Sequence, residues 1–266
     1  MIKLVISDID GTLVDRTEVL KEPAFALADW LKKRGIMFSL ATGRVQGMAE
    51  NYAKSLNINI PYITANGAAL IKDGKAIIRH TVSLSILKNI IIESDKLGLS
   101  IIYSPNGYEK VHKLTPFIIS QQKKFNRYFD VYAIDEKEFC NGFVEKLCIM
   151  DDDYTGIINN IEEIAKELPT NCKYTRYGDR AIEIVGGNST KASGIQELAK
   201  YLGLSMNEIM AIGDDENDIE MLSEVGIGAT VQNALDKVKA SVDYVASKSH
   251  ADGVFEAVYY FLNGGN

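Results

Sequence analysis

Three polar runs, each directly after an apolar stretch, hold the side chains best suited to chemistry: Asp8-Ile9-Asp10-Gly11-Thr12, Thr42-Gly43-Arg44, and Gly213-Asp214-Asp215-Glu216-Asn217-Asp218. If the apolar stretches are strands of one parallel sheet, their ends share the edge where open α/β folds bind ligands. Acids far apart in sequence then converge. Two like charges about 4 Å apart repel by roughly 4 kcal/mol at an effective dielectric near 20, so the convergence calls for a cation. No histidine or cysteine lies in these runs, and an all-oxygen set suits Mg²⁺ better than zinc.

Such a site fits hydrolysis of a phosphate monoester, a reaction slow enough to need several devices together. A carboxylate nucleophile divides it into two steps through an aspartyl phosphate. A second acid protonates the leaving oxygen, and metal and cation offset charge on the phosphoryl oxygens. The rest of the chain narrows the partners. Twenty-nine basic against 36 acidic residues give a formal net charge of −7, which repels nucleic acid and anionic membrane, so a phosphate must meet placed cations inside a cleft. Three cysteines without a CxxC pair argue against a paired disulfide framework and fit a reducing cytosol. MIKLVISDID lacks the apolar core of a secretory signal, and no apolar run of about 18 residues follows, so a cytoplasmic protein free of membrane is expected.

The elements that must position these runs follow from periodicity. Leu4-Val5-Ile6 reads as a strand buried on both faces and ending at Asp8. Pro23, the spacing of Phe25, Leu27, Ala28 and Leu31, and Gly35 mark a helix. Ile36 to Leu40 reads as the next strand, and a helix towards Leu56 follows Thr42-Gly43-Arg44. This alternation implies a parallel sheet. From about Ser83 the rhythm changes to hairpins turning at Asn106-Gly107 and Gly178-Asp179, with helices near Pro116 to Asn126 and Tyr154 to Glu167. After Gly186-Gly187 it returns, with a helix from Ser193 to Leu202, a strand at Ile209 to Ile212, short strands near Val225 and Tyr244, and a last helix from Gly253 to Leu262. The expectation is an α/β fold: a Rossmann-like parallel-sheet core built from residues 1–82 and 187–266, with an inserted α+β cap over 83–186.

DIDGTL at Asp8 to Leu13 resembles the first signature of the haloacid dehalogenase superfamily. Thr42 within LATGR resembles the second, Lys191 within GNSTKASGIQEL the third, and GDDENDIEML from Gly213 the fourth. Their order, and TANGA at Thr64 to Ala68, is similar to the Cof-type subfamily, whose cap lies between the second and third signatures. The resemblance implies a magnesium-dependent phosphatase acting on sugar phosphates or similar small phosphorylated metabolites, as a monomer or homodimer. By it, Asp8 attacks phosphorus, Asp10 serves as general acid and then base, and Thr42 and Lys191 hold phosphoryl oxygens. Asn217 and the backbone amides of Ile9 and Gly43 also contact phosphate. The carboxylates of Asp8 and Asp214 and the backbone carbonyl of Asp10 bind Mg²⁺, which Asp218 supports through water or Lys191. The cap is expected to select the leaving group. Ala192 stands where the family usually has glycine, and Thr230 to Ala234 departs from its usual loop.

Some residues read two ways. Arg44 either reaches substrate or pairs with a nearby acid. Asn66 is either the corner of a tight turn or a substrate-facing amide. Asp151-Asp152-Asp153 is read as lying before the positive end of the helix near Tyr154, and His80, His112 and His250 share no spacing and are given packing or surface roles. Two rival functions share the phosphorylated aspartate. A phosphomutase or phosphotransferase would pass the group to a sugar hydroxyl, and a receiver-like signalling protein would need only about one ordinary domain, leaving the insertion without a purpose. An EF-hand is excluded, because neither acidic cluster has the loop glycine and terminal glutamate it requires.

Overall fold

The apolar run after the N-terminus becomes an interior strand of a parallel sheet. In a computed structural model describing every residue but Asn126, Arg127, Asn188, Gly265 and Asn266, the chain divides into two compact units, Met1–Ile78 with Thr190–Asn266, and Arg79–Ser189. The order begins β1 (Leu4–Ser7), α1 (Glu22–Lys33), β2 (Met37–Leu40), α2 (Gln46–Ser55), β3 (Tyr62–Thr64), a 3₁₀ turn over Ala65–Gly67, β4 (Ala69–Lys72) and β5 (Lys75–Arg79). It continues through β6 (Val82–Ser83), α3 (Leu84–Lys96), β7 (Ser100–Ser104), β8 (Lys110–Val111), α4 (Pro116–Phe125), β9 (Asp130–Val131), α5 (Glu136–Asn141), β10 (Phe143–Val144), β11 (Lys146–Met150), α6 (Ile158–Lys166), β12 (Cys172–Tyr177) and β13 (Ala181–Gly186). It ends with α7 (Lys191–Leu202), β14 (Ile209–Gly213), α8 (Ile219–Glu224), β15 (Ile227–Thr230), α9 (Asp236–Lys239), β16 (Tyr244–Val245) and α10 (His250–Leu262).

In the first unit the strands stand in the order β16-β15-β14-β1-β2 with every neighbouring pair parallel. The α/β class expected from alternation is therefore the class observed. Both faces of β1 are buried, and Leu4, Val5 and Ile6 are fully enclosed with Leu27, Leu31, Ile195, Leu198 and Val254. Each such side chain contributes about 1.5–3 kcal/mol by burial. Ser7 lies beside Leu40 on one side and Ile212 on the other, so Asp8 leaves the sheet level with Ala41 and Gly213.

Helix ends explain where residues near the site fall. On α1, Ala24, Leu27 and Leu31 turn inward, whereas Phe25, grouped with them by spacing, is 37% exposed; it lies about 200° around the helix from Leu27. Thr190 caps α7 reciprocally with Ser193, so the helix starts at Lys191, earlier than the expected Ser193, and sets that lysine in its first turn. The last helix starts at His250, not Gly253. Gly253 is inside it, and a side chain there would overlap the carbonyl oxygen of Lys248.

The second unit centres on a sheet ordered β12-β13-β11-β7-β8-β9, antiparallel except between β8 and β9. Leu147, Ile149, Ile182 and Ile184 pack with Leu87 and Ile91 of α3 and Ile158 and Ile161 of α6. The helix expected from Tyr154 begins at Ile158. Instead of flanking its N-terminus, Asp151 accepts hydrogen bonds from the Thr155 hydroxyl at 3.0 Å and its N–H at 3.3 Å, which ties a turn. Asn126, expected to end the helix after Pro116, lies outside the described residues. Among the described residues, no helix is long and apolar enough to cross a membrane.

Candidate active site

The site begins where β1 ends. Asp8 still donates its N–H to Ile212 at 2.9 Å, so its carboxylate is fixed at the sheet edge by the ladder itself. The chain then turns tightly, with the Leu13 and Val14 N–H groups both on the Ile9 carbonyl at 2.9 Å. Gly11 takes φ +80°, and a Cβ there would overlap Asp214 Oδ2. Only glycine lets the Asp214 carboxylate come this close. Thr12 then donates its hydroxyl to Asp214 Oδ1 at 2.5 Å. A second glycine does the same on the other side of the motif, since a Cβ on Gly213 would overlap the Asp218 carboxyl group.

Lys191 joins the acids. Its Nζ lies 2.7 Å from Asp8 Oδ1 and 2.7 Å from Asp218 Oδ1, and the side chain is 2% exposed. Asp218, fully buried, uses its other oxygen to accept the N–H groups of Asp214 at 2.9 Å and Asp215 at 3.0 Å. The neighbouring run arrives from β2. Thr42 is fully buried and its Oγ1 accepts the Arg44 N–H at 3.1 Å. Asn66, in the left-handed region at φ +53°, donates its N–H to the Thr42 carbonyl at 3.0 Å and accepts from Asn217 Nδ2 at 3.0 Å. Gly43 faces the Asn66 amide closely enough that a Cβ would lie 3.1 Å from its Oδ1. Gly67 plays the corresponding part for α7, because a Cβ there would overlap the Thr190 carbonyl. Asn66 thus both turns the backbone and joins Thr42 to Asn217.

The electrostatics follow from burial. Asp8 is pushed well above the ordinary carboxylate range, first by desolvation and then by the nearby charges of Asp218 and Asp214, against the pull of Lys191. Asp214 is raised to about 6, chiefly by burial, with the Thr12 hydroxyl holding it down. For Lys191, burial is the largest influence and opposes its charge, but Asp218 and Asp8 more than offset it and the ammonium is held above its ordinary value.

Oxygen atoms of Asp8, Asp214 and Asp218 lie within 4.8 Å of one another. At that separation each pair repels by about 3–4 kcal/mol at an effective dielectric near 20. Set against the one ammonium of Lys191, the three carboxylates leave two formal negative charges, a donor set suited to a divalent, oxygen-seeking cation. The three acids are not equivalent. Asp218 accepts Lys191 on one oxygen and two backbone N–H groups on the other, so it is the most heavily hydrogen-bonded acid of the set and braces it. The Asp10 side chain stands apart from this cluster. It is 51% exposed and paired with Arg44, so the acid that Arg44 meets in the structure is Asp10.

Two partners of the first loop have no counterpart in the sequence reading. The Gly11 carbonyl accepts from Asn233 Nδ2 at 2.8 Å and lies 2.9 Å from His250 Nδ1. A carbonyl only accepts, so this ring nitrogen carries the hydrogen. The only available signal was the Asn-Ala step after the departing loop, and nothing in the spacing of His250 pointed to it.

The sequence profile of the haloacid dehalogenase-like hydrolases matches residues 5–258. The chain is 26% identical to the 5-amino-6-(5-phospho-D-ribitylamino)uracil phosphatase YcsE of Bacillus subtilis, with 98% of this chain and 96% of that protein covered. It is also 26% identical to a phosphoglycolate phosphatase of Methanoculleus marisnigri, over 98% and 97%. Among solved structures, a haloacid dehalogenase-like hydrolase from Bacteroides thetaiotaomicron has the same fold at a TM-score of 0.84, with 22% identity over 98% of this chain and all of that one, 100%.

Proposed function

Since the chain belongs to the haloacid dehalogenase-like hydrolases, we propose that it is a Mg²⁺-dependent phosphatase of small phosphorylated metabolites, sugar phosphates among them, working through transient phosphorylation of Asp8. The observation that carries this reading is the contact of Lys191 with Asp8 at 2.7 Å, at the end of β1 and beside Asp214. The relatives named above support the substrate class, since both carry the names of phosphatases of small phosphorylated molecules.

Asp8 Oδ1 is held by Lys191, so Oδ2 is the oxygen that forms the bond to phosphorus as the bond from phosphorus to the ester oxygen breaks. Asp10 gives the leaving alkoxide a proton. In the second half-reaction the same carboxylate takes a proton from water, the water oxygen bonds to phosphorus, and the bond to Asp8 breaks, releasing phosphate and restoring the carboxylate. The Lys191 ammonium, the Thr42 hydroxyl, the Asn217 amide and the N–H groups of Ile9 and Gly43 bind the phosphoryl oxygens. Asp8 and Asp214, with the Asp10 carbonyl, would hold Mg²⁺, which when bound offsets phosphoryl charge.

A panel of sugar phosphates and other small phosphate monoesters, assayed for free phosphate with Mg²⁺ and with chelator, tests this. Metal-dependent release that vanishes in Asp8→Asn is expected. Formation of an isomeric phosphate without free phosphate would replace hydrolysis by a mutase.

A further inference from the structure

The Arg44 guanidinium has five N–H groups, and three of them donate to its neighbours. Nε donates to Asp10 Oδ2 at 2.8 Å, Nη2 to Asp10 Oδ1 at 2.5 Å, and Nη1 to the Tyr52 hydroxyl at 3.1 Å. Nη2 also forms an ion pair with Glu18 Oε2, 3.2 Å away. The Nε/Nη2 edge, one by which an arginine takes a phosphate through two parallel N–H bonds, is already filled by Asp10.

The two partners differ in freedom. Arg44 is 9% exposed and Asp10 is 51% exposed. The guanidinium lies 4.9 Å from the centre of the Tyr52 ring, and Tyr52, eight residues on along α2, fixes its own hydroxyl to the Glu18 carbonyl at 2.7 Å. Burial works against the charge of Arg44, but Asp10, Tyr52 and Glu18 outweigh it, and the group is held above its ordinary value as a permanent cation. A braced, planar fork therefore grips a half-exposed carboxylate at two points.

We propose that Arg44 is a positioning residue for the acid–base carboxylate of Asp10 and does not bind the phosphoryl group, an inference that rests on the role given to Asp10 above. Each carboxylate oxygen has two lone-pair sites, so an oxygen gripped by one N–H keeps a site for proton transfer. The fork fixes where that site points, and proton transfer depends on such alignment.

Leaving-group chemistry separates this from phosphate binding. The phosphoryl group is common to all substrates, whereas the proton from Asp10 matters for an alkoxide and hardly for 4-nitrophenolate. Values of kcat/KM would be measured with Mg²⁺ on 4-nitrophenyl phosphate and on a sugar phosphate hydrolysed by the wild type, for Asp10→Asn, Arg44→Ala, Arg44→Lys and Asp10→Asn/Arg44→Ala. Both single alanine and lysine variants should lose about 10–100-fold on the sugar phosphate, part of what a general acid supplies, and less than about 3-fold on the nitrophenyl ester. The double variant should match Asp10→Asn alone, since a fork without its carboxylate has nothing to align. Arg44→Lys keeps charge but cannot span two oxygens, so it tests the proposal even if the alanine variant folds poorly. Equal losses on both substrates, full activity in Arg44→Lys, or multiplying losses in the double variant would overturn it. Asp10→Asn that fails to discriminate between the substrates would instead remove the role of Asp10 itself.

Discussion

The Thr12 hydroxyl donates to Asp214 Oδ1 at 2.5 Å across 202 residues of sequence, closing the loop after β1 onto the loop after β14. The bond is possible because Gly11, between Asp10 and Thr12, has no side chain to keep Asp214 away. It also helps hold the Asp214 carboxyl ionised against burial, which is the form a metal needs.

Replacing Thr12 by valine keeps the shape and removes this bond. A hydrogen bond to a charged group is worth about 1.5–3 kcal/mol, so Mg²⁺ affinity measured by calorimetric titration should fall on the order of 10- to 100-fold. An unchanged affinity would mean that Asp214 does not need Thr12 to stay ionised.

Two glycines with similar backbones should respond differently to alanine. Gly35, at φ +66° with nothing near its missing Cβ, should lose only the left-handed penalty of about 1–2 kcal/mol. Gly11→Ala meets the same penalty plus overlap with Asp214 and should unfold at clearly lower denaturant and bind Mg²⁺ poorly. Equal midpoints for the two variants in urea unfolding would contradict the packing described.

Stability of the metal-free protein should depend on pH in a defined direction. The Asp214 carboxyl is raised in the folded state from its ordinary value near 3.8 to about 6, and Asp8 is raised as well. Groups raised in this way favour the folded state below the unfolded value and lose that contribution as pH rises through the folded one. Thermal melting without Mg²⁺ should therefore decline in this contribution between about pH 4 and 6, and the gain in melting temperature on adding Mg²⁺ should be greater above pH 6 than below it. A gain in Tm independent of pH would remove these carboxyls from the metal site.

Asp218→Ala should destabilise strongly. It removes a fully buried carboxylate that pairs with Lys191 and accepts two backbone N–H groups, and breaking such a pair costs about 3–5 kcal/mol. Chemical unfolding should register a loss of that size, and Asp218→Asn, which can still accept the two amides, a smaller one.

Much of this fold was legible because its signals are long or repeated. Apolar stretches of four or five residues ending in acids can hardly be read otherwise than as parallel strands, and the meeting of Asp8 and Asp214 follows from that pattern once Asp8 stands level with Gly213, whereas Lys191, at the start of a helix, was expected there only from the resemblance of its motif. The inserted unit was harder. β6, β8, β9 and β10 have two residues each, too few to show a period. The fork on Asp10 was not legible either, since the choice made by Arg44 depends on Glu18 and Tyr52 closing around it. Asn233 and His250 reach Gly11 from the far end of the chain, a tertiary contact that no local pattern encodes.

Whether phosphate passes through Asp8 can be asked directly by acid-quenching the enzyme during turnover of a substrate and locating the phosphoryl group by peptide mass. The account predicts one phosphoryl group on the peptide containing Asp8, and neither label nor turnover in Asp8→Asn. Turnover surviving in Asp8→Asn, or a phosphoryl group on any other residue, would contradict it.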